Sequence, residues 1–138
     1  MIVLDTNVLS ALMQKEPELR VIAWLDSQPS ESIWTTSVTV FEIHYGLQAL
    51  PAGKRRRALQ AAFELVIEDD LNGRVLNLDA SAAEKAGVIA AQLRSRGRPV
   101  EIRDVLIAGI VSARHGILAT RNTRHFEAAK ISLLNPWG

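Results

Sequence analysis

Short apolar runs alternate along the whole chain with stretches whose apolar residues recur at helical spacing. The apolar runs are predicted to be strands, at residues 2–4, 33–36, 74–78, 117–119 and 131–134. The stretches between them are predicted to be helical, over residues 8–13, 17–27, 38–50, 55–66, 79–96, 104–115 and, as a short turn or helix, 122–126. Strands that alternate with helices in this way indicate a parallel-sheet α/β domain with helices on both faces.

Polar residues at the helix ends predict where several helices begin. Thr6 or Asn7 is expected to cap the first helix, Ser37 to cap the helix from residue 38, and Asp104 to open a later one. On the second helix, which is expected to start at Pro17, the predicted apolar stripe is formed by Leu19, Ile22 and Leu25.

The composition suits a single globular domain over residues 1–138, with 48% hydrophobic and 22% charged residues. The absence of cysteine excludes disulfides and thiolate metal sites. The N-terminus lacks the basic segment of a signal peptide, and no apolar run reaches the roughly 20 residues of a membrane helix. We therefore expect a cytoplasmic protein with no membrane partner.

The net charge of +1 does not by itself indicate a nucleic-acid binder, but the choice of basic residue carries some information. Twelve of the sixteen basic residues are arginine, whose guanidinium group matches phosphate oxygens with a two-pronged fork. Arg103, Arg121 and Arg124 are therefore candidates for binding phosphates. Exposure on a solvated helix face is the favoured explanation for any single arginine cluster, and for Arg103 an ion pair with Glu101 or Asp104 is an equal alternative.

Three acidic residues are candidates for chemistry. Asp5 follows the first strand directly, and ligands of open α/β sheets gather at the carboxyl ends of strands. Glu42 and Asp104 lie in otherwise apolar helical stretches, and Glu42 is expected to share a small-residue helix face with Thr39 and Gly46. Together the carboxylates predict a site for a hard cation, Mg²⁺ or Mn²⁺. Each acid could instead be structural, as a turn, a cap or a solvated side chain.

Four segments in order resemble the PIN-domain endoribonucleases, specifically toxins of the VapC and FitB type. They are IVLDTNVL at residues 2–9, TSVTVFEIHYG at 36–46, DVLIAG at 104–109 and LATRNTRHF at 118–126. The ending Asn135-Pro136-Trp137 is also similar to the FitB type, so the resemblance covers essentially the whole length.

The resemblance implies a PIN fold, an α/β/α sandwich, and hydrolysis of RNA phosphodiester bonds with Mg²⁺ or Mn²⁺. The family's three acids fall on Asp5, Glu42 and Asp104, which makes these the expected catalytic and metal-binding residues. Thr6, Asn7 and Ser37 match the polar residues that support the site. Where the family often has a fourth aspartate, this chain has Asn122 and His125, which favours one metal ion over two.

The resemblance also implies partners, and alternative functions of the chain stay open beside it. A toxin of this type is neutralised by a small DNA-binding antitoxin, is expected to form a homodimer, and contacts DNA only through the antitoxin complex. One alternative is a non-catalytic PIN-like protein that acts as co-repressor of such an antitoxin. Others are a small phosphohydrolase with Asp5 as nucleophile, disfavoured because Asn7 stands where a second aspartate is usual, and a nuclease with His125 as general base.

Overall fold

The computed structural model describes residues 1–138 and contains one parallel five-stranded sheet. Its strands are β1 (Ile2–Leu4), β2 (Ile33–Thr36), β3 (Val75–Leu76), β4 (Ile117–Ala119) and β5 (Ser132–Leu134), in the order β3-β2-β1-β4-β5. The predicted parallel α/β fold is confirmed. The strand predicted over residues 74–78 is shorter, Val75–Leu76, and beyond it the Leu78 N–H binds the Ser37 hydroxyl instead of a neighbouring strand.

Seven α-helices connect and flank the strands. They are α1 (Thr6–Met13), α2 (Leu19–Asp26), α3 (Ser37–Ala49), α4 (Lys54–Leu65), α5 (Ala80–Ser95), α6 (Ile102–Ala113) and α7 (Thr123–Phe126). Two 3₁₀ turns, Ser30–Ser32 and Glu127–Ala129, and a π-helical turn, Val66–Asp70, complete the chain. None of the helices has both the length and the apolar character needed to cross a membrane.

Two hydrophobic cores lie on opposite faces of the sheet, as the prediction of helices on both faces requires. Alternate residues of β1 pack into the two cores. Val3 belongs to the core under α5 and α6, and Leu4 belongs to the core under α1 to α4. The contact between α5 and α6 is close because Gly109 lies against α5. A Cβ at Gly109 would be only 2.5 Å from the Ala82 carbonyl oxygen and 2.6 Å from the Ala86 Cβ.

Two predicted helix caps are wrong by one or two residues. The α1 cap is Asp5, not Thr6 or Asn7, because Asp5 keeps the extended backbone of the strand while its carboxylate accepts the Thr6 N–H. The α3 cap is Thr36, whose hydroxyl accepts the Thr39 N–H at 3.1 Å, so Ser37 is already helical.

Two further details of the helices differ from the prediction. Helix α6 begins at Ile102 after Glu101, and Asp104 lies inside its first turn rather than opening it. Helix α2 begins at Leu19 rather than Pro17, and Leu19 is 81% exposed. The fully buried residue of that helix is Val21, which packs in the core beneath α1 to α4.

Candidate active site

The structure brings the three predicted acids to one edge of the sheet. Asp5 ends β1 and is only 6% exposed, Glu42 lies in α3, and Asp104 lies in the first turn of α6. The Thr6 hydroxyl donates to Glu42 Oε1 at 2.9 Å and so joins the segment of Asp5 to α3. Because parallel strands present their carboxyl ends at a common edge, this is where a ligand of such a fold binds.

Asp5 is fixed by three hydrogen bonds. Its Oδ1 accepts the Thr6 N–H at 2.8 Å, and its Oδ2 accepts the Thr120 hydroxyl at 2.7 Å and the Asn7 amide at 3.3 Å. A carboxylate held on both oxygens has a set orientation, which preorganises it for chemistry.

Thr120 is the residue of this site that the sequence analysis missed. It is fully buried, and its Oγ1 also accepts the Asn7 side-chain amide and the Asn122 N–H, each at 3.1 Å. A signal for it exists in the sequence: β1 pairs with β4 through Leu4 and Ala119, so the polar residues that follow the two strands become neighbours.

The predicted supporting residues have different surroundings. Asn7 contacts Asp5 directly, and its Oδ1 accepts the Arg121 N–H at 3.1 Å. The hydrogen bond of Asn122 is made by its backbone to Thr120. The Ser37 hydroxyl accepts the Leu78 N–H at 3.1 Å, which anchors the segment between β3 and α5 and not the acids.

Glu42 lies between a hydroxyl pair and an arginine. The Thr6 hydroxyl that binds it is also 3.3 Å from the buried Thr39 hydroxyl. Arg103 places Nη1 3.6 Å from Glu42 Oε2 and Nε 3.6 Å from Glu101 Oε1. The alternative of an ion pair to Glu101 is therefore found, whereas the pair to Glu42 was not predicted and partly neutralises this acid.

The acids influence one another electrostatically. Burial raises the pKa of Asp5 against the opposing effect of its hydrogen bonds. Burial first, and then the negative charges of Asp5, Glu101 and Glu42, raise the pKa of Asp104 to about 6. His125, with Nδ1 3.7 Å from Asp104 Oδ2, opposes that rise. The charged form of Asp104 is thus disfavoured by the other two acids of the site.

The donor set suits a hard cation that keeps part of its water shell. No group of three or more Asp, Glu, His or Cys side chains is close enough to hold one ion between them. Mg²⁺ normally uses only one or two protein carboxylates and completes its shell with water. Acids at one edge whose negative charges add to burial in raising the pKa of Asp104 fit such an ion, because a cation removes the repulsion.

The remaining candidates line the approach to the acids. The Arg121 guanidinium lies 5.0 Å from the centre of the Trp137 ring, a cation–π contact, while the backbone N–H of Arg121 binds Asn7. Arg124 is exposed on α7 beside a cleft that reaches Asp104. His125 contacts this acid rather than a nucleophilic side chain.

Comparison with known proteins gives a family and close structural relatives. The model of the PIN domain matches residues 2–131. The chain is 42% identical to "VapC ribonuclease Y4jK" of Sinorhizobium fredii over 99% of this chain and 98% of that protein. It is 34% identical to "Toxin FitB" of Neisseria gonorrhoeae over 99% of each. The solved structure of FitAB bound to the IR36 DNA fragment superposes with a TM-score of 0.88 at 34% identity, covering 100% of this chain and 96% of that one.

Proposed function

This chain belongs to the PIN-domain family, in the group of VapC and FitB toxins, and from that membership we propose that it is the toxin of a type II toxin–antitoxin pair. Its activity in this proposal is endoribonuclease cleavage, the hydrolysis of RNA phosphodiester bonds. The observation that carries the proposal is the placement of Asp5, Glu42 and Asp104 at the carboxyl edge of the sheet, where burial and then the charges of the other acids raise the pKa of Asp104. Residues 1–138 form a single PIN domain in this account.

Asp5, Glu42 and Asp104 are proposed as the catalytic and metal-binding residues, with Mg²⁺ or Mn²⁺ as the cofactor. When bound, such an ion activates a water and offsets negative charge on the phosphate. The protein's own contribution is orientation: Thr120 and Asn7 hold the carboxylate of Asp5, and Thr6 holds that of Glu42. These hydrogen bonds keep two of the three acids pointed at the edge in spite of repulsion.

The arginines near the site are proposed to bind the RNA backbone. Arg103 already lies beside Glu42, and Arg121 and Arg124 are exposed on the same approach. The remaining charge on the acids repels a polyanion, so cationic side chains at the rim are needed to bring a phosphate to the edge. Among the supporting residues, Ser37 acts at a distance, through the segment that precedes α5.

A cognate antitoxin is the proposed protein partner. In the similar structure, FitAB is bound to a DNA fragment, and we propose that this chain likewise contacts DNA only within a complex with a small DNA-binding antitoxin. We also propose that the toxin is a homodimer. Light scattering of the isolated chain should give a mass near twice 15.2 kDa, and a mass near 15.2 kDa would contradict the dimer.

Cleavage by the antitoxin-free chain tests the proposal. A mixed pool of structured RNAs is incubated with Mg²⁺, with Mn²⁺ or with chelator, and the fragments are mapped. We expect discrete cleavage that requires the metal and is absent for Asp5→Asn. Intact RNA with either metal, from a folded chain that still binds its antitoxin, would favour the non-catalytic co-repressor instead.

A further inference from the structure

The proposed chemistry uses only the edge of a cleft beside Asp104. The cleft has a volume of about 360 Å³ and lies between the end of α5, the start of α6, α7 and the 3₁₀ turn at Glu127–Ala129. Its apolar lining is formed by Leu93, Val105, Ala108, Phe126, Ala128 and Ala129. Clefts of this size, apolar inside and with few polar groups, are typical of sites for small ligands.

The polar groups of the cleft are unevenly distributed. Asp104 and His125 lie where it meets the proposed active site, and Arg98 and Arg124 are exposed at its rim. Neither of these arginines has an acidic partner within salt-bridge distance. The other acid of the lining, Glu101, is paired with Arg103. A ligand for this cleft therefore combines a largely apolar body with negative charge next to it.

We propose that the cleft receives the base of a nucleotide that flanks the cleaved phosphodiester, with Arg98 and Arg124 contacting its phosphates. The inference rests on the proposed ribonuclease function and adds a specificity site to it. Single-stranded RNA is recognised in this way, by bases turned out of the stack into protein pockets. Ala128 is half-buried in the lining, and its small side chain leaves space for the base, so it determines which bases fit.

Binding of single nucleotides tests the cleft without cleavage. Nucleoside 5′-monophosphates with each of the four bases are titrated into the folded chain, and the methyl signals of Val105, Ala108 and Ala128 are followed by NMR. Because a mononucleotide makes few contacts, we expect dissociation constants of about 1 mM, with differences between bases. Ribose 5-phosphate, which lacks the base, serves as the control ligand and should leave these methyl signals unchanged.

Two substitutions at one position distinguish the loss of space in the cleft from a general effect of mutation on folding. Ala128→Leu fills the cleft and should weaken nucleotide binding about tenfold or more, whereas Ala128→Ser keeps it open and should bind as the natural chain does. On RNA randomised around the cleaved bond, Ala128→Leu should lose the preference at one flanking position. The inference is overturned if ribose 5-phosphate shifts the same signals, or if Ala128→Leu binds nucleotides normally.

The test also distinguishes this inference from the function on which it rests. A chain that cuts RNA but shows no nucleotide in the cleft contradicts the specificity site alone. A chain that binds nucleotides in the cleft and leaves RNA intact in every metal contradicts the ribonuclease function and retains the binding site.

Discussion

Replacing Asp104 by asparagine should stabilise the metal-free protein at neutral pH. The pKa of this carboxyl is raised from 3.8 to about 6, chiefly by burial and then by the charge of Asp5. Each tenfold change in an ionisation constant is worth about 1.4 kcal/mol, so the charged form costs about 3 kcal/mol in the folded state. The side chain is 28% exposed, and asparagine loses the attraction to His125, so we expect a gain of about 1–2 kcal/mol.

The raised pKa of Asp104 also predicts how the stability difference between the two chains changes with pH. Between the unfolded pKa of 3.8 and the folded pKa of about 6, the folded state of the natural chain binds more protons than the unfolded state. Its stability therefore falls as the pH rises through that window, because of Asp104. Asp104→Asn does not titrate there. Its advantage should be near zero below the unfolded pKa, grow through the window and reach its full size above the folded pKa.

Urea unfolding in the presence of chelator measures this advantage. The free energy of unfolding is determined for the natural chain and Asp104→Asn at several values between about pH 4.5 and 7.5. Glu84→Gln, which removes an exposed acid on α5 that forms no salt bridge, is the control and should show no such trend. An Asp104→Asn chain that is less stable than the natural one at the neutral end, or a difference that does not change with pH, would refute the reasoning.

Three further predictions concern packing, hydrogen bonding and the metal. Gly109→Ala should destabilise the fold by about 1–3 kcal/mol in urea, because the new methyl overlaps Ala82, whereas Gly46→Ala, with open space around it, should be neutral or stabilising. Thr120→Val should cost about 1–3 kcal/mol by the same assay, since it removes the 2.7 Å bond to Asp5, and an unchanged midpoint would contradict its bridging role. Mn²⁺ should raise the melting temperature of the natural chain and not that of Asp5→Asn, and an equal rise in both would place the ion elsewhere.

The sheet and its helices could be predicted because apolar spacing reports burial directly. Residues 33–36 and 117–119 form strands at the predicted bounds. The caps were harder, because consecutive residues such as Thr36 and Ser37 offer equivalent hydroxyls and backbone geometry decides between them. The exposure of Leu19 likewise depends on where α2 begins and on what lies beside it.

The candidate site was likewise predictable in its residue types but not in its contacts. The three acids could be named from residue type, from their position after a strand or in a helix, and from the resemblance to the family. Their connections could not, because they depend on contacts between distant segments. Thr120 reaches Asp5 across 115 positions, and Arg103 reaches Glu42 only because α3 and α6 meet at the sheet edge. The cleft beside Asp104 also depends on how distant segments meet, so its shape could not be predicted from the sequence.

The rate of RNA cleavage by matched charge-removal variants tests the central claim most directly. Asp5→Asn, Glu42→Gln and Asp104→Asn are compared with Glu84→Gln in Mn²⁺, after urea unfolding has shown that each is folded. If the three acids form one catalytic site, each of the first three should lose at least about 100-fold in rate, and Glu84→Gln should cleave as the natural chain does. Cleavage at the natural rate by any one of the three would remove that acid from the site, and cleavage by all three would contradict the account.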